Sequence, residues 1–213
     1  MRLHEFEIAV KAGIAYLPLG TVEWHERHLP LGTDGLVAWE VCKAACKRTG
    51  GCVIPPLYLG TSTSEVRGGK KLIGMERVAG TELPGGLYYL EPDVFYKVIE
   101  SVASNAERQG FRRLVIVSGH LGVEQVKALE RLVSDWKGKI KIAFHGRGIW
   151  GEGGHAGIGE TSIMLALHEE LVAMDKLPGP YKGILETSPW GANKTLGKKI
   201  IADAVEKIVK MAS

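Results

Sequence analysis

Two kinds of apolar run alternate along this chain. Residues 12–20, AGIAYLPLG, are almost unbroken in apolar side chains and end at a glycine, which predicts a buried strand closed by a turn. Residues 33–50, TDGLVAWEVCKAACKRTG, predict a helix, with Asp34 near its start and Gly50 and Gly51 to stop it. A second short strand, broken by Pro55 and Pro56, is expected within 51–60. Residues 91–110 predict an amphipathic helix ended by Gly110. Residues 111–119, FRRLVIVSG, form the clearest strand, with a β-branched run suited to burial on both faces. A helix over 123–136, a strand over 139–145 and helices over 159–171 and 197–212 complete the pattern. Residues 61–90 are rich in Gly, Ser and Thr and show little periodicity. They read as a long loop, which in a compact domain is usually functional or mobile.

Strands alternating with helices predict an α/β fold with a mainly parallel sheet, and 213 residues suit a single domain. No internal repeat or linker interrupts it. Hydrophobic content of 45%, charged content of 24% and a net charge of +3 describe an ordinary globular chain. That charge gives no reason to expect nucleic acid or a membrane surface as a partner. No apolar run is long enough to span a bilayer, and MRLHEFEIAV does not read as a signal peptide, so the cytoplasm is the expected location. Cys42 and Cys46 share a helix face, but no histidine or CxxC accompanies them. With Cys52 they read as small core residues, and the odd count argues against a disulfide framework.

Three segments carry the candidate chemistry, each just after a predicted strand or at a helix start, and ligands of open α/β sheets bind at the carboxyl ends of strands. The first, EWHERHLPLGTD, crowds Glu23, His25, Glu26, His28 and Asp34 behind the first strand. Glu23 and His25, two apart, project to one side of an extended chain, and the following Pro/Gly turn could fold Asp34 back onto them. Carboxylate and imidazole without thiolate suit Zn²⁺, Mn²⁺ or Fe²⁺. HERH is not the zinc-helix motif, which needs two histidines four apart. Alone, Asp34 is equally a cap for the helix beginning near Leu36. The second segment, VIVSGHLG, places Ser118 and His120 behind the clearest strand. The third, GEGGHAGIGETSIML, sets His155 in a glycine-rich loop and Glu160 in the first turn of a helix, where an acid also complements the dipole. A lone histidine in either place reads as structural. Jointly, the three segments hold the carboxylates and imidazoles that a two-metal centre requires.

These residues resemble the creatininase family of metal-dependent amidohydrolases. The family's first motif, Glu-x-His-Gly-x-His-Leu-Pro-x-x-x-Asp, is matched by Glu23, His25, His28, Leu29, Pro30 and Asp34. Its second, Asn-Gly-His-Gly-Gly-Asn, stands as Ser118-Gly119-His120-Leu121-Gly122-Val123. Its third, His-Ala-Gly-x-x-Glu-Thr-Ser, runs from His155 to Ser162. The resemblance implies a three-layer α/β sandwich around a mainly parallel sheet, two divalent ions (Zn, Mn or Fe(II)) and a homo-oligomer, in this family often a hexamer. Glu23, Asp34 and His120 match the ligands of one metal. His25, Asp34 and an acid match those of the other, with Asp34 bridging. In the enzyme that names the family, that acid lies two residues after the second-motif histidine. Here that position is Gly122, and Glu160 is the candidate replacement, with Glu124 as the alternative. His155 matches the catalytic histidine, with Glu160 beside it. His28, Trp24, Trp150 and Ser118 are expected to touch ligands or substrate. The family's pocket tryptophan falls at Gly151, one step after Trp150. Glu26 stands where the motif has glycine, and Trp24, Glu26 and Arg27 are the first places to look for what sets the substrate.

The resemblance implies hydrolysis of a non-peptide C–N bond in a small amide. The family's range covers cyclic amides, a formylaminopyrimidine nucleotide in flavin and deazaflavin synthesis, and a modified peptide. The segment SEVRGGKK, with Arg67, Lys70 and Lys71, could hold a substrate phosphate and so favour the deformylase, although an exposed basic loop explains it as well. A non-catalytic metal-binding protein that keeps the fold is the reading from another class.

Overall fold

The computed structural model describes residues 2–146, 153–177 and 188–213. The chain runs α1 (Leu3–Ala12), β1 (Ile14–Leu19), α2 (Thr33–Thr49), β2 (Cys52–Val53), β3 (Ser64–Arg67), β4 (Lys70–Ile73) and α3 (Met75–Ala79). It continues with α4 (Pro92–Arg108), β5 (Arg113–Ser118), α5 (Val123–Asp135), β6 (Lys141–His145), α6 (Ile158–Leu167) and α7 (Lys194–Ala212). Two 3₁₀ turns, Glu169–Leu171 and Met174–Lys176, follow α6.

β1, β2, β5 and β6 form one sheet in the order β2-β1-β5-β6, with every neighbouring pair parallel. Its two central strands run in register from Ile14 opposite Arg113 to Leu19 opposite Ser118. Side chains alternate across the pleat. Tyr16, Val115 and Val117 join Val37, Val41, Ile163 and Ile208 in a core beneath α2, α6 and α7. Leu17, Leu19, Leu114 and Ile116 join Phe95, Ile99, Leu129 and Leu132 in a second core beneath α1, α4 and α5. Both faces of the sheet are therefore covered, which is why β1 and β5 read as continuous apolar runs. The architecture is the expected α/β fold with a mainly parallel central sheet.

Three local expectations need correction. Residues 61–90 are not a plain loop: they contain the antiparallel hairpin β3–β4 and the short helix α3. Their hydrophobic signal is weak because Leu72 is the only buried side chain in these three elements. The strand expected over 51–60 forms a ladder at Cys52 and Val53 and then an isolated parallel bridge from Leu57 to Leu19, since Pro55 and Pro56 between them lack the N–H a ladder needs. Helix α1 had no sequence expectation. Only its Ala9 is buried, so the helix leaves no apolar stripe to read.

Helices α6 and α7 meet backbone to backbone. A Cβ on Gly197 would lie 1.9 Å from the carbonyl oxygen of Ser162. Gly197→Ala must therefore push α7 off α6. We expect a loss of about 1–3 kcal/mol, as for overpacked cores, read as a lower urea midpoint at unchanged m-value.

Candidate metal centre

Beyond Leu19 the chain loops out and returns to begin α2 beside the strand it left. Glu23 N–H donates to the Leu31 carbonyl at 3.1 Å and Thr33 N–H to the Pro30 carbonyl at 3.1 Å, closing the loop on itself. Two glycines permit the approach. A Cβ on Gly20 would lie 2.2 Å from Gly35 N, and one on Gly119 would lie 2.2 Å from the Asp34 carbonyl oxygen. The first turn of α2 is thus wedged between the ends of β1 and β5, and it carries Asp34 to His120. Asp34 makes no capping bond, and the helix begins after Gly32. The capping reading of Asp34 is overturned by its burial in this wedge, at 2% exposure.

Glu23, His25, Asp34, His120 and Glu160 converge, all buried. His25 Nε2 lies 3.2 Å from Asp34 Oδ1 and 4.0 Å from Glu160 Oε2. His120 Nδ1 lies 2.9 Å from Glu23 Oε1 and 3.5 Å from Asp34 Oδ2. The other nitrogen of each ring donates to a backbone carbonyl: His25 Nδ1 to Glu23 at 3.1 Å, His120 Nε2 to Thr61 at 3.2 Å. Metal-binding histidines are commonly oriented in this way, by a carbonyl on the outer nitrogen. His155 follows the same pattern, with Nε2–H donating to the Trp24 carbonyl at 2.5 Å and Nδ1 4.0 Å from Glu23 Oε1.

Charge explains the protonation of this cluster. Burial disfavours imidazolium at His25, but the carboxylates of Asp34, Glu160 and Glu23 outweigh it and raise the ring to about 10. Burial is likewise overcome at His120 by Glu23 and Asp34, again to about 10. Burial opposes ionisation at Glu23 and Asp34 too, yet His120 and His25 hold both below the usual carboxylate range. Glu160 is raised, chiefly by burial. Two imidazolium ions balance buried carboxylates, and each holds a proton where a cation would bind.

The residues suit divalent metal. Glu23, Asp34 and His120 offer ligand atoms within 4.8 Å of one another, and so do His25, Asp34 and Glu160. Asp34 belongs to both sets, facing one with each oxygen, and its buried Oδ2 has no hydrogen-bond partner. A third set comprises Glu23, His25 and His155. Carboxylate and imidazole without sulfur is the donor chemistry of Zn²⁺, Mn²⁺ and Fe²⁺.

The remaining sequence candidates divide. Glu160 joins His25 and Asp34 in one candidate ligand set, and its Oε2 also accepts the Ala156 N–H at 2.5 Å, so it serves helix α6 as well. Glu124 belongs to no ligand set and pairs with Lys127 at 3.0 Å. A side chain at position 122 is excluded, since a Cβ there would lie 2.5 Å from His120 Nε2. His28 does not line the cavity. Its Nε2 bonds Thr161 Oγ1 at 2.8 Å, bracing the residue beside Glu160. Burial and the nearby His25 charge lower it to about 4, so it is neutral at pH 7. Ser118 Oγ donates to the His120 carbonyl at 2.6 Å and accepts from Gln125 Nε2 at 2.8 Å. Trp24 reaches the site through its carbonyl; the residue lines a small neighbouring pocket with Met75, Leu83 and Tyr89 and does not line the main cavity. Trp150 and Gly151 lie outside the described residues.

Two supporting residues escaped the sequence reading. Tyr89 OH donates to Glu23 Oε2, tying the 61–90 segment to the centre. Gln125 accepts the Thr61 N–H at 3.0 Å and so links the His120 turn to the Thr61 carbonyl that orients the ring. Neither sits in a motif. Only the distance in space of residues remote in sequence reveals them.

A cavity of about 360 Å³ opens over this cluster, lined by Glu23, Asp34, His120, His155 and Glu160 on one side and by Ser62, Thr63, Met75 and Arg77 on the other. A parallel α/β sheet whose carboxyl edge carries a buried carboxylate–imidazole cluster under a small cavity defines a metal-site hydrolase class. The chain belongs to the creatininase family, whose model, described as creatinine amidohydrolase, matches residues 1–212. It is similar to the creatinine amidohydrolase of Pseudomonas putida, with 27% identity over 201 residues covering 81% of this chain and 72% of that one. It is also similar to the mycofactocin precursor peptide peptidase of Mycobacterium ulcerans. There the identity is 31% over 172 residues, covering 76% of this chain and 61% of the relative's length. A solved structure of creatininase with Mn superposes at TM-score 0.72 and 25% identity, covering 99% of this chain and 94% of that one. Among the described residues no helix is long and apolar enough to cross a membrane.

A cation at either set must displace an imidazolium proton, and both rings are protonated at pH 7 in its absence. Raised imidazole values mean that affinity falls as pH drops and rises as it climbs toward 10. We expect about two protons to be released on saturation at pH 7, read by calorimetry in buffers of differing ionisation enthalpy. Asp34→Asn should lower the bound metal measured by mass spectrometry. It should also abolish most of the metal-induced stabilisation, which is about 4 kcal/mol at a free concentration roughly 1,000 times Kd.

Proposed function

We propose that this protein is a metal-dependent amidohydrolase that cleaves a non-peptide C–N bond, a formamide or a cyclic amide, in a small molecule. The observation that carries the proposal is Asp34, one buried carboxylate shared by two ligand sets beneath a cavity of small-molecule size. Glu23, His120 and Asp34 would hold one cation and His25, Glu160 and Asp34 a second. Bound there, divalent cations supply Lewis acidity toward a carbonyl oxygen and toward water.

The protein's own groups account for the rest. His155 lines the cavity, and its Nε2–H is committed to the Trp24 carbonyl. That bond fixes the tautomer and turns Nδ1, the basic nitrogen, toward the centre. Nδ1 can take a proton from water as it attacks and return it to the leaving nitrogen. Glu160 is held by Ala156 N–H and by the helix it opens.

The similarity to a precursor-peptide peptidase supports a second reading in which the amide lies at the end of a peptide. The basic segment at 64–71 does not favour a nucleotide substrate. Lys70 pairs with Glu82, Lys71 with Glu91 at 2.6 Å and Arg67 with Glu65 at 2.5 Å, all at the surface.

We expect His155→Ala to retain its metal and to lower kcat by about 10²- to 10⁴-fold, the usual contribution of an acid–base group. The measurement is turnover of formamide and cyclic-amide substrates by Mn²⁺- and Zn²⁺-loaded protein. Loss of metal in this variant would reassign His155 as a ligand. Absence of turnover by metal-replete wild type on every amide tested would leave a binding protein.

A further inference from the structure

The residues that depart from the family motif, Trp24, Glu26 and Arg27, do not line the cavity. Its outer wall comes instead from the 61–90 segment: Ser62, Thr63, Gly74, Met75 and Arg77. Arg77 is the only lysine or arginine among the described residues lining the cavity. It is held, but not neutralised. Its Nε donates to Glu65 Oε2 at 3.2 Å, while Arg67 Nη2 takes Glu65 Oε1 at 2.5 Å and also donates to the Arg77 carbonyl at 3.4 Å. Two guanidinium groups share one carboxylate, which leaves one positive charge in excess at the wall. The bond through Nε orients the planar group and leaves its two terminal amino groups without a partner among the described residues. A guanidinium presented in that way is a fork for an oxyanion. Ser62 and Thr63 also line the cavity, and a hydroxyl is a donor of the kind such a group accepts.

On the basis of the amidohydrolase reading, we propose that the substrate carries an anionic group, a carboxylate or a phosphate, and that Arg77 binds it at the cavity wall while the amide is presented to the buried cluster. Arg77 is thus a specificity-determining residue supplied by the segment that the motifs leave out. The basic residues of the hairpin tip, already paired with acids, take no part. Glu65 sets the strength of the site, because it competes with the substrate for the same guanidinium.

The test uses metal-loaded protein and three matched probes: N-formylglycine, (formylamino)methylphosphonate and neutral N-methylformamide. Wild type should favour at least one anion over the neutral probe by tenfold or more in kcat/KM. Arg77→Ala should bring that ratio toward one, and Arg77→Lys should give an intermediate ratio, since it keeps charge but loses the fork. Glu65→Gln should raise the ratio, whereas a purely structural role for the Arg77–Glu65 pair predicts a fall. The anion with the larger Arg77-dependent ratio identifies the group. A wild-type ratio near one, or a ratio unchanged in Arg77→Ala, overturns the proposal while leaving the hydrolase intact. If none of the probes is hydrolysed, the amidohydrolase reading passes to the cyclic-amide assay above, and calorimetric binding of the same probes still decides the anion site. Tenfold tighter binding of an anion that is lost in Arg77→Ala supports it, and binding insensitive to Arg77 overturns it.

Discussion

The rim of this sheet is organised around three carboxylates that have been taken out of water within reach of one another. Glu23, Asp34 and Glu160 are each no more than 5% exposed, and isolated buried ions are among the most costly groups a fold can contain. Every neighbouring feature answers that cost. His25 and His120 stand between the acids and carry protons there. Backbone carbonyls of Glu23 and Thr61 hold the outer nitrogens of both rings, Tyr89 takes an oxygen of Glu23, and Ala156 N–H takes one of Glu160. Such a cluster gains nothing for folding over apolar side chains of equal volume. Its donor chemistry suits divalent cations in place of those protons.

The backbone is bent to the same requirement. Gly20 and Gly119 let the start of α2 enter between two strand ends at distances no Cβ allows. Adjacent parallel strands β1 and β5 then deliver Glu23 and His120 to the same edge, though they are nearly a hundred residues apart. Glu26 belongs to this economy as well. It adopts φ 58 in the tight turn between His25 and His28, the left-handed region where glycine is at ease and other residues are strained. The resemblance places glycine at that position in the family motif, and the turn geometry supplies the reason.

What the sequence discloses follows from how local each signal is. β1 and β5 are legible because burial on both faces makes their apolar runs continuous, and the ligand motifs are legible because His25, Asp34, His155 and Glu160 sit at fixed short spacings around turns. The signal fails where an element buries little, as in α1 with only Ala9 inside. It fails again where partners lie far apart in sequence, as for Tyr89 with Glu23 and Gln125 with Thr61. Asp34 shows why single residues mislead. A carboxylate in the first turn of a helix is a sound cap, and only the packing of β5 against that turn makes it something else.

The same division bears on how substrates are chosen on this fold. Residues that hold a cation are fixed by its coordination and by the charges they must balance, so the crowded segment between Glu23 and Asp34 has little freedom to encode a preference. Glu26 is spent on a turn, Arg27 faces solvent and Trp24 contributes its carbonyl to His155. The hairpin and short helix between residues 64 and 79 carry no such obligation. They meet the centre at the wall of the cavity, through Met75 and Arg77, and their ion pairs are exposed or half-buried, where a charge can change at modest cost to stability. On the proposed function, chemistry and selectivity are carried by different parts of the chain, the first by the sheet edge and the second by a segment whose few buried side chains make it the easiest part of the fold to vary.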